Sequence, residues 1–259
     1  MVDGDLARES HVPVEAYRAA LQKLLVGWRM QASKGVNVPA EKVRVALLIC
    51  PWVAQVHRFG QAYLRLEKND LGHEGIPLVR SALEHALLAH WVAVTGDPGV
   101  VSRYAEDGRL LNAMLNEAKG RPRDVTASTW NLALLEELIA DRQVEVVDDQ
   151  KVLQKLDQIC ERLGLRNTVY PAYRVLSWYA HPTTHSAELY VEEQEDGTFA
   201  LRNQPSGPAP AMGLSMLTHC VYWARRVLDD LTVGHPYEKW LDSLADSVQV
   251  MRRLPDPQP

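Results

Sequence analysis

LVRSALEHALLAHWV, residues 78–92, is apolar on nearly every side of a helical wheel. A helix with no polar face is buried in the middle of its fold, because it has nothing to offer water. The full apolar run spans about 76–95 and predicts a central helix. Ala82, Ala86, Ala89 and Ala93 form one stripe, suited to close helix approach. Two charges, Arg80 and Glu84, interrupt it four residues apart, on the face shared with Leu87 and Trp91. Burial of two charges is unfavourable unless both are fully hydrogen-bonded. Either they form an ion pair within the helix that fixes packing, or they reach across to polar groups on another helix.

Outward from this run the pattern stays helical. Residues 13–33 place Tyr17, Leu21, Leu24, Leu25 and Trp28 on one stripe. A second run covers about 39–67, and Pro51 inside it is expected to kink or divide it. Asp97-Pro98 opens a fourth helix that reaches about 119 and is closed by Gly120 and Pro122. Ser128-Thr129 caps TWNLALLEELIADR, and DDQKVLQKLDQICERLG follows from about 148. SAELYVEEQEDGTFALRNQ alternates about Asp196-Gly197, which reads as a hairpin near 187–202. Two last helices cover about 209–232 and 237–252. The expectation is an all-α bundle of about eight or nine helices with one small β-hairpin. It forms a single domain over 1–259, with the hairpin as an insert and residues 253–259 frayed.

Composition narrows the function classes. Hydrophobic residues make up 46%, charged residues 24%, and the formal net charge is −5. No global basic field draws nucleic acid, so any such contact needs a local patch. The three cysteines, Cys50, Cys160 and Cys220, are far apart in apolar helical patterns and read as buried free thiols. No run approaches a membrane span, and the start lacks a basic-then-apolar signal region. A cytoplasmic protein with no membrane contact is expected.

The chemistry concentrates in YPAYRVLSWYAHPTTHS, residues 170–186. At ~100° per residue, Tyr170, Arg174, Ser177 and His181 fall within about 60° of one another. Tyr173 and Trp178 flank them, while Ala172, Val175, Leu176 and Tyr179 form the opposite, core-facing side. This polar face carries no Lys, Glu or Asp, the usual residues of a solvated surface, so it suits a pocket or interface. Pro182 disfavours helix at His181 and places it at the helix's C-terminal edge. Glu84 on the central helix is positioned to orient His181 or hold Arg174, with Arg80 and Ser177 beside it. His181, His185 and Glu84 also make a two-histidine, one-carboxylate set that could take a metal. But Pro182 breaks the helical spacing, and no HExxH, P-loop, GxGxxG or GxSxG is present. No cofactor is implied.

RSALE at residues 80–84 and YRVLSWYAHP at residues 173–182 together resemble an uncharacterised family of bacterial helical proteins. Its members carry R-S-x-x-E and a later S-x-x-x-H-P, and the likeness covers roughly 40–235. That resemblance implies a fold and no established activity. The chain is also similar to the HEPN domains of toxin and defence systems, helical bundles, often dimeric, with an arginine and then a histidine after four to six residues. Arg174 and His181 fit that spacing, although the position after the arginine, often polar in HEPN domains, is Val175. The HEPN likeness implies metal-independent RNA cleavage. The histidine would assist the 2′-hydroxyl or the leaving group, and the arginine would stabilise phosphate charge.

Two functions from different classes follow. One is a ribonuclease-like effector with Arg174 and His181 catalytic, supported by Arg80, Glu84, Tyr170, Ser177 and His185. Trp178 would stack on a base if exposed, and Arg121, Arg123, Arg166 and Arg174 would supply a basic track. The other is a non-catalytic module whose Tyr, Ser, His and Arg side chains hold a small anionic ligand or a partner segment. A metal-dependent enzyme stands third. A homodimer or a protein partner is expected in either of the first two cases.

Overall fold

The computed structural model describes residues 12–119 and 155–258. Its elements are α1 (Val14–Ala32), α2 (Val43–Glu67), α3 (Ile76–Thr95), α4 (Asp97–Lys119), α5 (Leu156–Arg162), α6 (Tyr170–Ala180) and α7 (Thr184–Glu188). The strands β1 (Val191–Glu193) and β2 (Phe199–Leu201) and the helices α8 (Ala209–Leu231) and α9 (Glu238–Val248) complete them. A short 3-10 turn, Ala40–Lys42, leads into α2. The architecture is an all-α bundle with one small antiparallel hairpin, as the periodicity implied. In the hairpin Val191 pairs with Leu201 and Glu193 with Phe199, and Gly197 takes φ +79° at its turn. The TWNLALLEELIADR helix, the start of the run from 148, and the closing signals at Gly120 and Pro122 lie outside the described residues.

The core sits where α3 packs against α2, α8 and α6. Ala82, Ala86 and Ala89 are fully buried, so the small-residue stripe does allow close approach. Gly96, at φ +69°, ends α3, and α4 begins at the next residue. Helix α8 is a second central element. Leu214, Leu217, Cys220, Val221 and Leu228 are buried on it, and so are Arg225, Arg226 and Asp229. Of the two outcomes expected at Pro51, a kink or a division, division does not occur: α2 runs unbroken through Pro51, which with Leu47 lies on the exposed side, where a carbonyl without its N–H partner can meet water. A second expectation differs from the structure. Residues 253–258, which read as a frayed end, make specific contacts: Leu254 is buried, and Pro255 O accepts a hydrogen bond from His90 Nε2 at 2.8 Å.

All three cysteines are free thiols. Burial pushes Cys160 up to about 11 and raises Cys220 as well, which keeps both protonated and unreactive. Among the described residues no helix is long and apolar enough to cross a membrane.

Candidate functional site

Helix α6 begins with Pro171 in its first turn, where the missing N–H does no harm. It ends where Pro182 forces His181 out of helical geometry, to φ −116° and ψ 155°. The next residues lock this end. Thr183 Oγ1 accepts from Ser186 N at 3.1 Å while Ser186 Oγ accepts from Thr183 N at 2.9 Å, a capping box that starts α7. The same hydroxyls donate to the carbonyls of Trp178 and His181. The backbone of His181 is therefore held from both sides.

Leu176 is the fully buried residue that seats α6, with Ala172, Val175 and Tyr179 half-buried around it. On the side toward α3, four polar side chains interlock. Arg80 Nε donates to Ser177 Oγ at 3.1 Å, and Arg80 Nη2 donates to the Tyr173 hydroxyl at 2.5 Å. Tyr173 in turn donates to Glu84 Oε1 at 3.0 Å, and Arg80 and Glu84 pair directly at 3.0 Å. The Arg80 guanidinium also lies 4.9 Å from the centre of the Tyr173 ring. Burial, aided by the Glu84 charge, raises the Tyr173 hydroxyl above its usual range, so it stays a proton donor at neutral pH. The Ser177 hydroxyl donates a hydrogen bond to Tyr173 O at 2.9 Å. Each charge has partners, which is what half-burial requires.

The structure thus brings Arg80, Glu84 and Ser177 together, and adds Tyr173, which the helical wheel placed only at the edge of the polar face. It does not bring Arg174 or His181 into that network. The polar face splits along its length. Tyr173 and Ser177 turn toward α3, while Arg174 and His181 are exposed, with Trp178 52% exposed beside them. Among the described residues no hydrogen bond or ion pair engages the Arg174 guanidinium or the His181 ring. Tyr170 is half-buried, its ring stacked on Tyr173 at 5.8 Å. His185 is half-buried with its ring edge-on to Tyr179 at 4.8 Å and to Trp178 at 6.4 Å.

His181, His185 and Glu84 are not gathered around a common point, since Glu84 serves Arg80 and Tyr173 while His185 packs on α6. A set the sequence reading did not single out, Asp229, Asp230 and His235, has ligand atoms within 4.8 Å of one another. Its members are engaged: Asp229 accepts from Tyr237 N, Asp230 pairs with Arg253, and His235 Nδ1 meets Asp229 O at 3.0 Å. This set closes the end of α8.

Residues 46–198, more than half of the chain, match the model of DUF5677, described as a family of unknown function. The matched span contains both Arg80–Glu84 on α3 and the whole of α6. No curated protein and no solved structure matches the chain. An uncharacterised family is what the sequence resemblance implied at its coarsest level, and the chain belongs to the DUF5677 family of unknown function.

Proposed function

We propose that the outer face of α6 engages RNA and cleaves it without a metal, with Arg174 and His181 as the catalytic pair. The observation that carries this reading is the stripe Arg174, Trp178 and His181, set one and two turns apart and all exposed. A tryptophan is seldom left half in water, and beside an arginine it suits base stacking next to a phosphate contact. The Arg80–Glu84–Tyr173–Ser177 network supports the stripe from behind by fixing the rotation of α6 on α3. The reaction is attack of a ribose 2′-hydroxyl on the adjacent phosphorus. The P–O5′ bond breaks, leaving a 2′,3′-cyclic phosphate and a 5′-hydroxyl. Neutral His181 takes the 2′-hydroxyl proton while water protonates the departing 5′-oxygen, or protonated His181 gives the 5′-oxygen its proton while water takes the one from the 2′-hydroxyl. Arg174 neutralises charge on the phosphorane, and His185 steadies Trp178. The HEPN likeness supports the same roles and a cytoplasmic, dimeric toxin or defence effector.

Arg166 is already paired with Glu161 at 3.3 Å, and Arg121 and Arg123 lie outside the described residues. With one or two phosphate contacts, binding should weaken only gently with salt, with a log–log slope of about −1. The direct test is cleavage of transfer and total RNA in EDTA. Wild type should cleave, and His181→Ala and Arg174→Ala should each lose at least about a hundredfold in rate. Both variants should unfold at the wild-type temperature, because neither side chain is buried. RNA binding without cleavage by wild type would instead make this face a binding module.

A further inference from the structure

Apart from the α6 face, the least satisfied charge in the described residues is Arg225, on α8. Its side chain is 1% exposed. Nη1 donates to Gln31 Oε1, and Nε and Nη2 have no hydrogen-bond partner. Two aromatic rings lie against the guanidinium, Tyr237 at 5.0 Å and Trp28 at 5.9 Å. What is left is one edge, Nε with Nη2. That edge is the fork which meets a carboxylate through two parallel hydrogen bonds. Burial lowers Arg225 to about 10, so it remains a cation at neutral pH, and Asp229 is the acid whose charge acts on it. Asp229, one turn on, accepts from Tyr237 N and leaves its other oxygen unbonded, so it does not fill the fork.

Arg225 is one of the residues that line a groove of about 570 Å³ between α1 and α9. Val26, Gly27, Met30 and Trp240 form its apolar walls, and Lys23 stands at its mouth. Gly27 is where the groove reaches the charge. A Cβ built there would lie 3.4 Å from Trp240 Cη2 and 4.0 Å from Arg225 Nη2. Glycine inside a helix costs about 1 kcal/mol relative to alanine. Here the missing side chain keeps the floor of the groove low beside Trp240 and Arg225.

We infer that the groove binds a small carboxylic acid with an apolar body, its carboxylate on Arg225 Nε and Nη2 and its body against Val26, Met30 and Trp240. The volume falls in the range of small-molecule sites, and the balance of one buried cation against apolar walls defines an amphipathic monoanion. The Nε and Nη2 atoms are closed off from solvent in the free protein, so the acid reaches them only with a rearrangement of the groove wall. All of these residues lie outside the matched span 46–198, so the groove belongs to the parts of the chain that flank it.

Isothermal titration of the full chain with octanoate, 4-phenylbutyrate and 1-octanol tests the assignment. At least one acid should bind, and octanol should bind at least about tenfold more weakly than octanoate. Arg225→Met keeps the volume and removes the charge, and should erase the preference for acid over alcohol. Gly27→Met leaves the guanidinium untouched, fills the groove and should abolish binding of all three. Should Arg225→Met fail to fold, the comparison of wild type with Gly27→Met decides. Equal binding of octanoate and octanol by wild type overturns the proposal, and so does wild-type affinity in Gly27→Met. No binding of either acid up to about 1 mM does the same. If an apolar tripeptide with a free C-terminal carboxylate binds where its amide and both acids do not, the groove holds a chain end, and the small-acid assignment falls.

Discussion

Tyr173 shows what one hydroxyl contributes at the interface of α3 and α6. It stands between Arg80 and Glu84, but those two also pair directly. Tyr173→Phe should therefore cost only about 1 kcal/mol in urea unfolding, since neither charge is stranded. Glu84→Ala strands Arg80 and should cost about 2 kcal/mol at this half-buried site. If Tyr173→Phe removed RNA cleavage at unchanged stability, the hydroxyl would belong to the reaction itself. The sequence exposed Arg80, Glu84 and Ser177 because charges stand out on an apolar helix and polar types cluster on a wheel. It could not expose Tyr173, because a wheel gives angles within α6 and not which edge of the polar face turns toward α3. Buried histidines set a second expectation. Burial lowers His57 to about 3 and His219 to about 4. In the unfolded chain both titrate near 6.5, so below that pH the unfolded state takes up protons that the folded state refuses. Stability should be full above about pH 6.5 and fall as pH drops toward 4, with His219 accounting for up to about 3 kcal/mol. His219 lies between the Tyr17 and Trp223 rings, at 5.7 Å from each, so His219→Phe suits the space. That variant should have a visibly flatter profile of unfolding midpoint against pH between 6.5 and 4. An unchanged slope would assign the acid sensitivity elsewhere.

Helices meet at glycines in two different ways, and the same substitution should act with opposite sign. Gly213 sits where α8 crosses α2 and α3. A Cβ there would lie 2.7 Å from Ile76 Cδ1 and from the Tyr63 hydroxyl, which itself donates to Pro210 O at 2.7 Å. Gly213→Ala should lose about 1–3 kcal/mol through overpacking, despite the better helix propensity of alanine. Gly27→Ala meets Trp240 at ordinary contact distance and should gain up to about 1 kcal/mol. Thermal unfolding of the two variants side by side checks the contrast, and a shift of the same sign in both would refute it. Element positions were legible where the chain carries its own punctuation. Asp97-Pro98 marked the start of α4, and Asp196-Gly197 marked the hairpin. The sequence could not decide between a kink and a division at Pro51, because a helix tolerates proline more easily where the freed carbonyl can be hydrated, and exposure is a tertiary property.

At the scale of the whole molecule, the C-terminal stretch closes the bundle. A segment rich in proline and polar residues reads as a loose end, since it has little to bury. Its carbonyls are what the fold uses. Trp223 Nε1 donates to Met251 O at 3.0 Å, Tyr222 to Arg252 O at 3.2 Å and His90 Nε2 to Pro255 O at 2.8 Å. Each of these donors sits on a central helix and needs an acceptor once buried. Proline lacks an N–H but keeps its carbonyl, so Pro255 serves as well as any residue. Arg253 adds ion pairs to Asp230 and Glu238, and Gln258 N reaches Arg162 O at the end of α5. The stretch therefore ties α8, α3 and α5 together, two of which flank the entry to α6. Removing residues 254–259 exposes the pocket of Leu254, worth about 2 kcal/mol. It also leaves His90 Nε2 unpaired, worth about 1 kcal/mol more. The truncated chain should unfold about 3 kcal/mol more easily in denaturant, and restoring only Leu254 and Pro255 should recover most of the loss. A truncation with the wild-type midpoint would show instead that the bundle closes without its last turn of chain.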